Sequence, residues 1–331
     1  MAASDRSLLR MALEPGPARD RVTAAVADKC EDGAHLELDS ARVVKQRPGR
    51  RAVIAYHFVK TAPPGPGRPL VVFGKLRMRG TDARSQRVLE ALWNAGLKPG
   101  GERGVEVPEP LALIPELHMT LQRGVAGCPI GELLYRPEAP RLMGQVAGAI
   151  QTLHATKIET HRSHSLDDEL AILRKGLAEV TALQPQWGPR LESVLDACEQ
   201  LAETLANPRR AGVHRDFQPD PLMVEGTRLT LLDFDLYARG DPALDVGNFA
   251  AHLTELALRQ HGDPAGLVDC EEALFEGYQA LREDVSRRDL EGYATLSLVR
   301  HISISSARPD RKHATSDLLA LCEERLASAR S

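Results

Sequence analysis

A chain of 331 residues with 43% hydrophobic and 27% charged residues has ordinary globular proportions and the length for two lobes with a substantial core. A formal net charge of −4, scattered basic residues and 4% aromatics argue against nucleic acid as the main partner, since phosphate binding leaves a basic footprint. Five widely spaced cysteines (Cys30, Cys128, Cys198, Cys270, Cys322) with no Cys-x-x-Cys pair indicate neither a disulfide framework nor a zinc site.

In chain order, Met1-Ala2-Ala3-Ser4-Asp5-Arg6 places charges where a signal peptide needs an apolar core, and no stretch nears the roughly 20 apolar residues of a membrane span, so a cytoplasmic setting is expected. Residues 1–30 read as a loosely held extension broken at Glu14-Pro15-Gly16-Pro17. Strand patterns follow from about His35, over 52–59 and over 69–76, with a Pro/Gly turn at 61–68 between them. Asp82 is a candidate N-cap for a helix that buries Val88, Leu89, Leu92 and Trp93. A Gly/Pro-rich loop spans 95–110, and further strands are expected at 111–114 and 118–122. After Gly124 the pattern turns helical over 140–156, over two segments of 165–206 broken near 185–189, and again over 245–331. The division expected is an N-terminal extension (1–30), a small β-rich N-lobe (31–124) and a larger, mostly helical C-lobe (125–331).

Between the last helical tracts lies the densest chemistry. His214-Arg215-Asp216-Phe217-Gln218-Pro219-Asp220 is followed, 17 residues after Asp216, by Asp233 in Leu231-Leu232-Asp233-Phe234-Asp235. Leu222-Met223-Val224 and Leu229-Thr230-Leu231-Leu232 favour strands, and Glu225-Gly226-Thr227-Arg228 favours the turn of a hairpin. A hairpin draws its ends together, so Asp216 and Asp233 are expected to converge. Phosphoryl transfer uses two such carboxylates: one orients and deprotonates the attacking hydroxyl, the other holds Mg²⁺ against the nucleotide phosphates.

These segments resemble the aminoglycoside phosphotransferase family and its choline kinase relatives, which share the protein-kinase-like fold. The family pattern is His-x-Asp, four residues, then Asn, then an Asp-Phe-Asp/Glu segment and Gly-Asp-Pro. The last part here reads Gly240-Asp241-Pro242-Ala243-Leu244-Asp245-Val246-Gly247-Asn248. Leu153-His154-Ala155 is similar to the family's Leu-His-Ala/Gly helix end. The resemblance implies an α+β, two-lobed fold with the nucleotide in the cleft, and ATP and Mg²⁺ as cofactors. Asp216 is then the catalytic base, Asp233 the Mg²⁺ ligand, and Lys75 the lysine on the α- and β-phosphates. Backbone groups of Leu121, Gln122 and Arg123 would meet the adenine edge. Asp235 would support the metal from behind or simply solvate its loop. Asp245, His214 and Arg215 would brace the catalytic loop.

The chain also departs from the pattern. No glutamate stands one helical turn before Leu89 to orient Lys75, since Ser85 and Gln86 are not anionic and Glu90 lies beside the apolar stripe. A glycine-rich phosphate loop is missing. Gly49 marks a turn whose Arg50 and Arg51 could touch phosphate. Pro221 replaces the Asn that normally supplies the second metal ligand, and proline has neither a side-chain donor nor an N–H. Asp220 could substitute only if the loop shifts. His161 and His164 form a His-x-x-His pair that lacks two further metal donors, so a solvated loop is expected there.

Two functions follow. One is ATP-dependent transfer of the γ-phosphoryl group to a hydroxyl of a small molecule, aminoglycoside-like, an amino alcohol or a sugar. The other is a catalytically degenerate, kinase-like binding protein, favoured by Pro221 and by the missing helix glutamate. Glu255, Asp263, Asp269, Glu271, Glu272 and Glu276 would suit a cationic acceptor such as an aminoglycoside or amino alcohol, or else form a solvated helix surface. Aromatic residues are too few to favour a cage around choline, though Trp187, Tyr278 and Tyr293 leave it open.

Overall fold

The computed structural model describes residues 3–30, 35–61, 68–101, 103–205 and 209–329. The chain forms two compact units: Met1–Ala126 with Thr230–Asp235, and Gly127–Leu229 with Leu236–Ser331. The first is β-rich and the second mostly helical, an α+β architecture.

The first unit opens with helices α1 (Ala3–Leu13) and α2 (Pro17–Ala27). Strands β1 (His35–Arg47), β2 (Arg51–Thr61) and β3 (Arg68–Arg77) follow, then α3 (Ala83–Asn94), β4 (Val105–Glu106), β5 (Pro110–Ile114) and β6 (Met119–Arg123). Five strands make one antiparallel sheet in the order β1-β2-β3-β6-β5. Alternation along β2 and β3 sorts the faces: Ala52, Ile54, Tyr56, Phe58, Leu70, Val72 and Leu76 are buried together. Arg51, Val53, Lys75 and Arg77 take the opposite phase.

Residues 1–30 depart from the expected loose extension. Leu9, Ala12, Val22 and Val26 are buried in that same apolar cluster, and the Tyr56 hydroxyl donates to the Ala12 carbonyl at 3.0 Å. Each large aliphatic buried this way contributes about 1.5–3 kcal/mol. The two helices therefore cap the sheet's apolar face and leave its charged face for chemistry. Asp82 caps α3 as expected, accepting from the Ser85 N–H at 3.1 Å. Of the Pro/Gly turn expected at 61–68, residues 62–67 lie outside the described residues.

In the second unit β7 (Cys128–Pro129) pairs with β9 (Leu222–Glu225), and β8 (Ala211–Val213) pairs with β11 (Ala238–Gly240). β10 (Arg228–Leu231), whose residues Thr230 and Leu231 count with the first unit, follows β9 after a turn in which Gly226 has φ 62°, a value that favours glycine. The helices are α4 (Ala139–Ala155), α5 (Leu166–Leu183), α6 (Gly188–Thr204), α7 (Ala243–His261), α8 (Val268–Gln279), α9 (Arg287–Ala307) and α10 (Thr315–Ser328). Ser165 with Asp168 and Ser286 with Asp289 form capping boxes that start α5 and α9. Helix α7 is buried on nearly every side. A Cβ on Gly247 would sit 2.5 Å from the Ala294 nitrogen, so α7 and α9 touch backbone to backbone. That contact fixes the height of Asp245 and Asn248 on α7.

Candidate active site

In the second unit, the segment after β8 turns through Arg215 at φ 70°, an uncommon conformation for a non-glycine residue. Asp245 accounts for it. Its fully buried carboxylate accepts the His214 N–H on Oδ2 and the Arg215 N–H on Oδ1, both at 2.7 Å. His154 Nε2 also lies 2.9 Å from Oδ2, and His154 Nδ1 lies 2.7 Å from the Tyr278 hydroxyl. With Nε2–H donating to Asp245, the Tyr278 O–H donates to Nδ1. Burial raises the Tyr278 hydroxyl far above its ordinary range, which keeps it a neutral donor. A buried carboxylate this well supplied is affordable, because charge-assisted bonds replace its lost water.

Asn248, one turn further along α7, donates to the Phe217 carbonyl at 2.7 Å and accepts from Arg300. Two α7 side chains thus hold residues 214–217 at three backbone atoms. Asp216 emerges from this frame half-buried. Gln218 Nε2 donates to its Oδ1 at 3.1 Å, and its own N–H donates to His214 Nδ1 at 3.3 Å.

In the first unit, an open pocket lies against the charged face of the sheet. Its lining includes Lys75 and Arg77 of β3, Arg51 of β2, Ser85, Gln86 and Leu89 of α3, and Asp233 and Asp235. Lys75 Nζ lies 3.2 Å from Asp233 Oδ1. Asp235 Oδ2 accepts from Arg51 at 2.9 Å and from Arg77 at 2.5 Å, and Arg84 donates to the Asp235 carbonyl at 3.3 Å. Asp233 sits at φ 65°, a left-handed conformation that aspartate tolerates better than most residues.

Burial alone would raise the Asp233 carboxyl, but the charges of Lys75 and Arg51 outweigh it and hold the group well below the usual carboxylate range. Burial and the neighbouring Asp233 charge push Asp235 the other way. An ionised carboxylate of this kind fits Mg²⁺, which is typically bound by one or two carboxylates together with phosphate oxygens and water. Among the described residues, no three His, Cys, Asp or Glu side chains gather into a protein-only metal cage.

Of the residues singled out from the sequence, the structure brings Lys75, Gln122 and Asp233 to one pocket, with Arg51 and Asp235 beside them. Asp216 and Asp245 lie in the other unit. The segment expected to meet the adenine edge lies inside the sheet. β6 is flanked by β3 and β5: Leu121 pairs with Gly74 and Ala112, Gln122 with Phe73 and Pro110, and Arg123 with Val72. The Arg123 N–H donates to the Glu109 carbonyl at 2.9 Å. Of that segment, Gln122 lines the pocket.

Ser85 and Gln86 do occupy the pocket wall where a helix glutamate was sought, and Gln86 donates to Glu90 at 3.0 Å. Asp220 is exposed. His164 is buried against Glu169, with Nε2 and Oε1 2.5 Å apart, while His161 is exposed. Tyr278 and Tyr293 are buried, so neither offers a face to a cation. Three acidic residues of the expected rim face arginines instead: Glu255 meets Arg259 and Arg311, Glu271 meets Arg325, and Glu272 meets Arg287. The part of Arg77 and the Tyr278–His154–Asp245 chain went unread in the sequence. Arg77 could have been found from its place two residues after Lys75, on the same strand face.

A family model described as the phosphotransferase enzyme family matches residues 82–284. No curated protein matches the chain. Among solved structures, the chain is similar to a thermostable mutant of aminoglycoside phosphotransferase APH(4)-Ia, with a TM-score of 0.59, 14% identity, and 88% of this chain and 95% of that one covered. It is also similar to spectinomycin phosphotransferase APH(9)-Ia, solved with ADP and spectinomycin, with a TM-score of 0.57, 13% identity and coverage of 96% and 99%. A choline/ethanolamine kinase family protein from Mesorhizobium loti gives a TM-score of 0.57 at 14% identity, with 99% of each chain covered. Those likenesses carry the kinase-like fold, and the family match extends over more than half the sequence: the chain belongs to the phosphotransferase enzyme family.

Proposed function

We propose that this protein transfers the γ-phosphoryl group of ATP to a hydroxyl of a small molecule. The observation that carries the reading is the Lys75–Asp233 pair in a cation-lined pocket, a cation and an ionised carboxylate set side by side. Lys75 steadies the α- and β-phosphates. Asp233 would hold Mg²⁺, which would supply charge neutralisation at the phosphates when bound. The adenine edge is assigned to the segment Leu121–Arg123 at the end of β6, of which Gln122 lines the pocket.

Asp216 takes the acceptor's proton. With Gln218 on its Oδ1, Oδ2 is the oxygen assigned to the incoming hydroxyl. The hydroxyl oxygen bonds to the γ-phosphorus as the bond to the β–γ bridging oxygen breaks, and ADP departs with that oxygen. Such in-line transfer depends mainly on positioning and charge neutralisation. Reduced cysteines and a nucleotide substrate fit a cytoplasmic setting. A cationic acceptor would rely on Asp263, Asp269 and Glu276, since the other three acids of that region face arginines.

Pro221 supports a second reading, a nucleotide-binding member without turnover, because it offers no metal ligand where the family carries Asn. Both readings are tested together. Mg²⁺-dependent thermal stabilisation by ATP reports binding, and ADP release across a panel of hydroxylated acceptors reports transfer. Asp216→Ala should abolish ADP release while leaving the ATP-induced stabilisation intact, and Asp233→Ala should weaken Mg²⁺-ATP binding. Stabilisation without ADP release from any acceptor supports the second reading. No stabilisation by ATP sinks both.

A further inference from the structure

The register of the sheet sets arginines against one another. Arg47 of β1 pairs directly with Arg51 of β2, and Arg51 pairs directly with Arg77 of β3. In the neighbouring row, two residues along each strand and hence on the same face, Lys45 pairs with Val53 and Val53 with Lys75. All of these side chains line the same pocket. Like charges directly opposite on adjacent strands destabilise a sheet, so this arrangement needs an anion.

The chain's own anion satisfies it incompletely. A single oxygen, Asp235 Oδ2, serves both Arg51 and Arg77, while Asp82 takes a second contact with Arg77 at 2.6 Å. The lining carries five cations against three carboxylates. Three adjacent strands span roughly 10 Å, a reach suited to a chain of phosphates rather than to one carboxylate.

Resting on the nucleotide reading above, we propose that Arg51 and Arg77, flanked by Arg47, clamp the β- and γ-phosphates, and that Asp235 occupies the clamp until a polyphosphate displaces it. Guanidinium forks from two strands then do the work that backbone amides of a glycine-rich loop do in protein kinases. A phosphate bearing close to two charges satisfies two guanidinium groups better than a shared carboxylate oxygen. The surplus of two positive charges also matches the net charge of a Mg²⁺-bound nucleoside triphosphate.

The test is a set of dissociation constants for ATP, ADP, AMP, adenosine and inorganic tripolyphosphate, measured by calorimetry without Mg²⁺. It compares the wild-type protein, the Arg51→Gln/Arg77→Gln double variant and Asp235→Asn. The double variant should bind ATP and tripolyphosphate at least tenfold more weakly and adenosine within twofold of wild type, with adenosine serving as the control for an intact pocket. Asp235→Asn should bind ATP and tripolyphosphate severalfold more tightly. Unchanged ATP affinity in the double variant, an equal loss for adenosine, or weaker ATP binding by Asp235→Asn overturns the proposal while leaving the nucleotide reading intact. A wild-type protein that binds none of the five overturns both.

Discussion

Asp245→Asn preserves volume and removes one acceptor from the centre of the catalytic frame. In the wild type, Oδ1 serves the Arg215 N–H at 2.7 Å, and Oδ2 serves the His214 N–H at 2.7 Å and His154 Nε2 at 2.9 Å. However the asparagine amide turns, its NH₂ confronts at least one of these donors. Losing a hydrogen bond to a charged group costs about 1.5–3 kcal/mol, and a buried donor left bare costs about 1–3 kcal/mol. Because the two overlap, the net destabilisation is about 2–5 kcal/mol. For a unit of roughly 200 residues at about 2–4 °C per kcal/mol, the Tm should fall by roughly 4–20 °C. Scanning calorimetry measures this directly. Turnover should fall as well, because Arg215 holds its left-handed backbone against those two bonds. A variant that melts within about 1 °C of wild type and releases ADP at the same rate would refute the bracing role.

Three further outcomes are expected. Pro221→Asn should raise the rate of ADP release if a missing metal ligand limits turnover, and an unchanged rate would mean that water or Asp220 already serves. Lowered below its unfolded value of about 3.9, the Asp233 carboxyl contributes stability above that pH and loses it as pH falls toward the folded value. Lys75→Met removes the main charge opposing burial, so acid unfolding followed by denaturant midpoints between about pH 2 and 5 should begin at higher pH in the variant. Coincident profiles would show that Lys75 does not set that carboxyl. Phe217→Ala, at a side chain 1% exposed and packed at a tilt against Phe249, should cost about 3–5 kcal/mol in urea unfolding and loosen the loop behind Asp216.

The fold was legible wherever local signals were strong. The hairpin expected around Gly226 lies within one residue of β9 and β10, because turn chemistry and β-branched or aliphatic runs agreed. Asp82 was legible as a cap for the same reason. The role of residues 1–30 was not, because their amphipathic pattern is short and interrupted, and its meaning depends on a sheet that follows in sequence. The place of β6 inside the sheet was not legible because strand order is non-local: nothing in 119–123 announces that β3 and β5 lie on either side. The Asp245 brace could be expected from resemblance, whereas Tyr278 as the outer end of its chain could not. It lies 124 residues from His154, and a buried tyrosine resembles any other core aromatic in sequence. The arginine row needs two registers at once, which composition cannot supply.

That Thr230–Asp235 belongs to the first unit has a consequence for synthesis. When Ala126 leaves the ribosome, the sheet can close, but Arg51, Lys75 and Arg77 wait for about a hundred more residues before Asp233 and Asp235 arrive to balance them. During that interval Asp82 is the one carboxylate of the pocket's three already made, and it faces Arg77 while the rest of the cationic face waits for chain that is synthesised later.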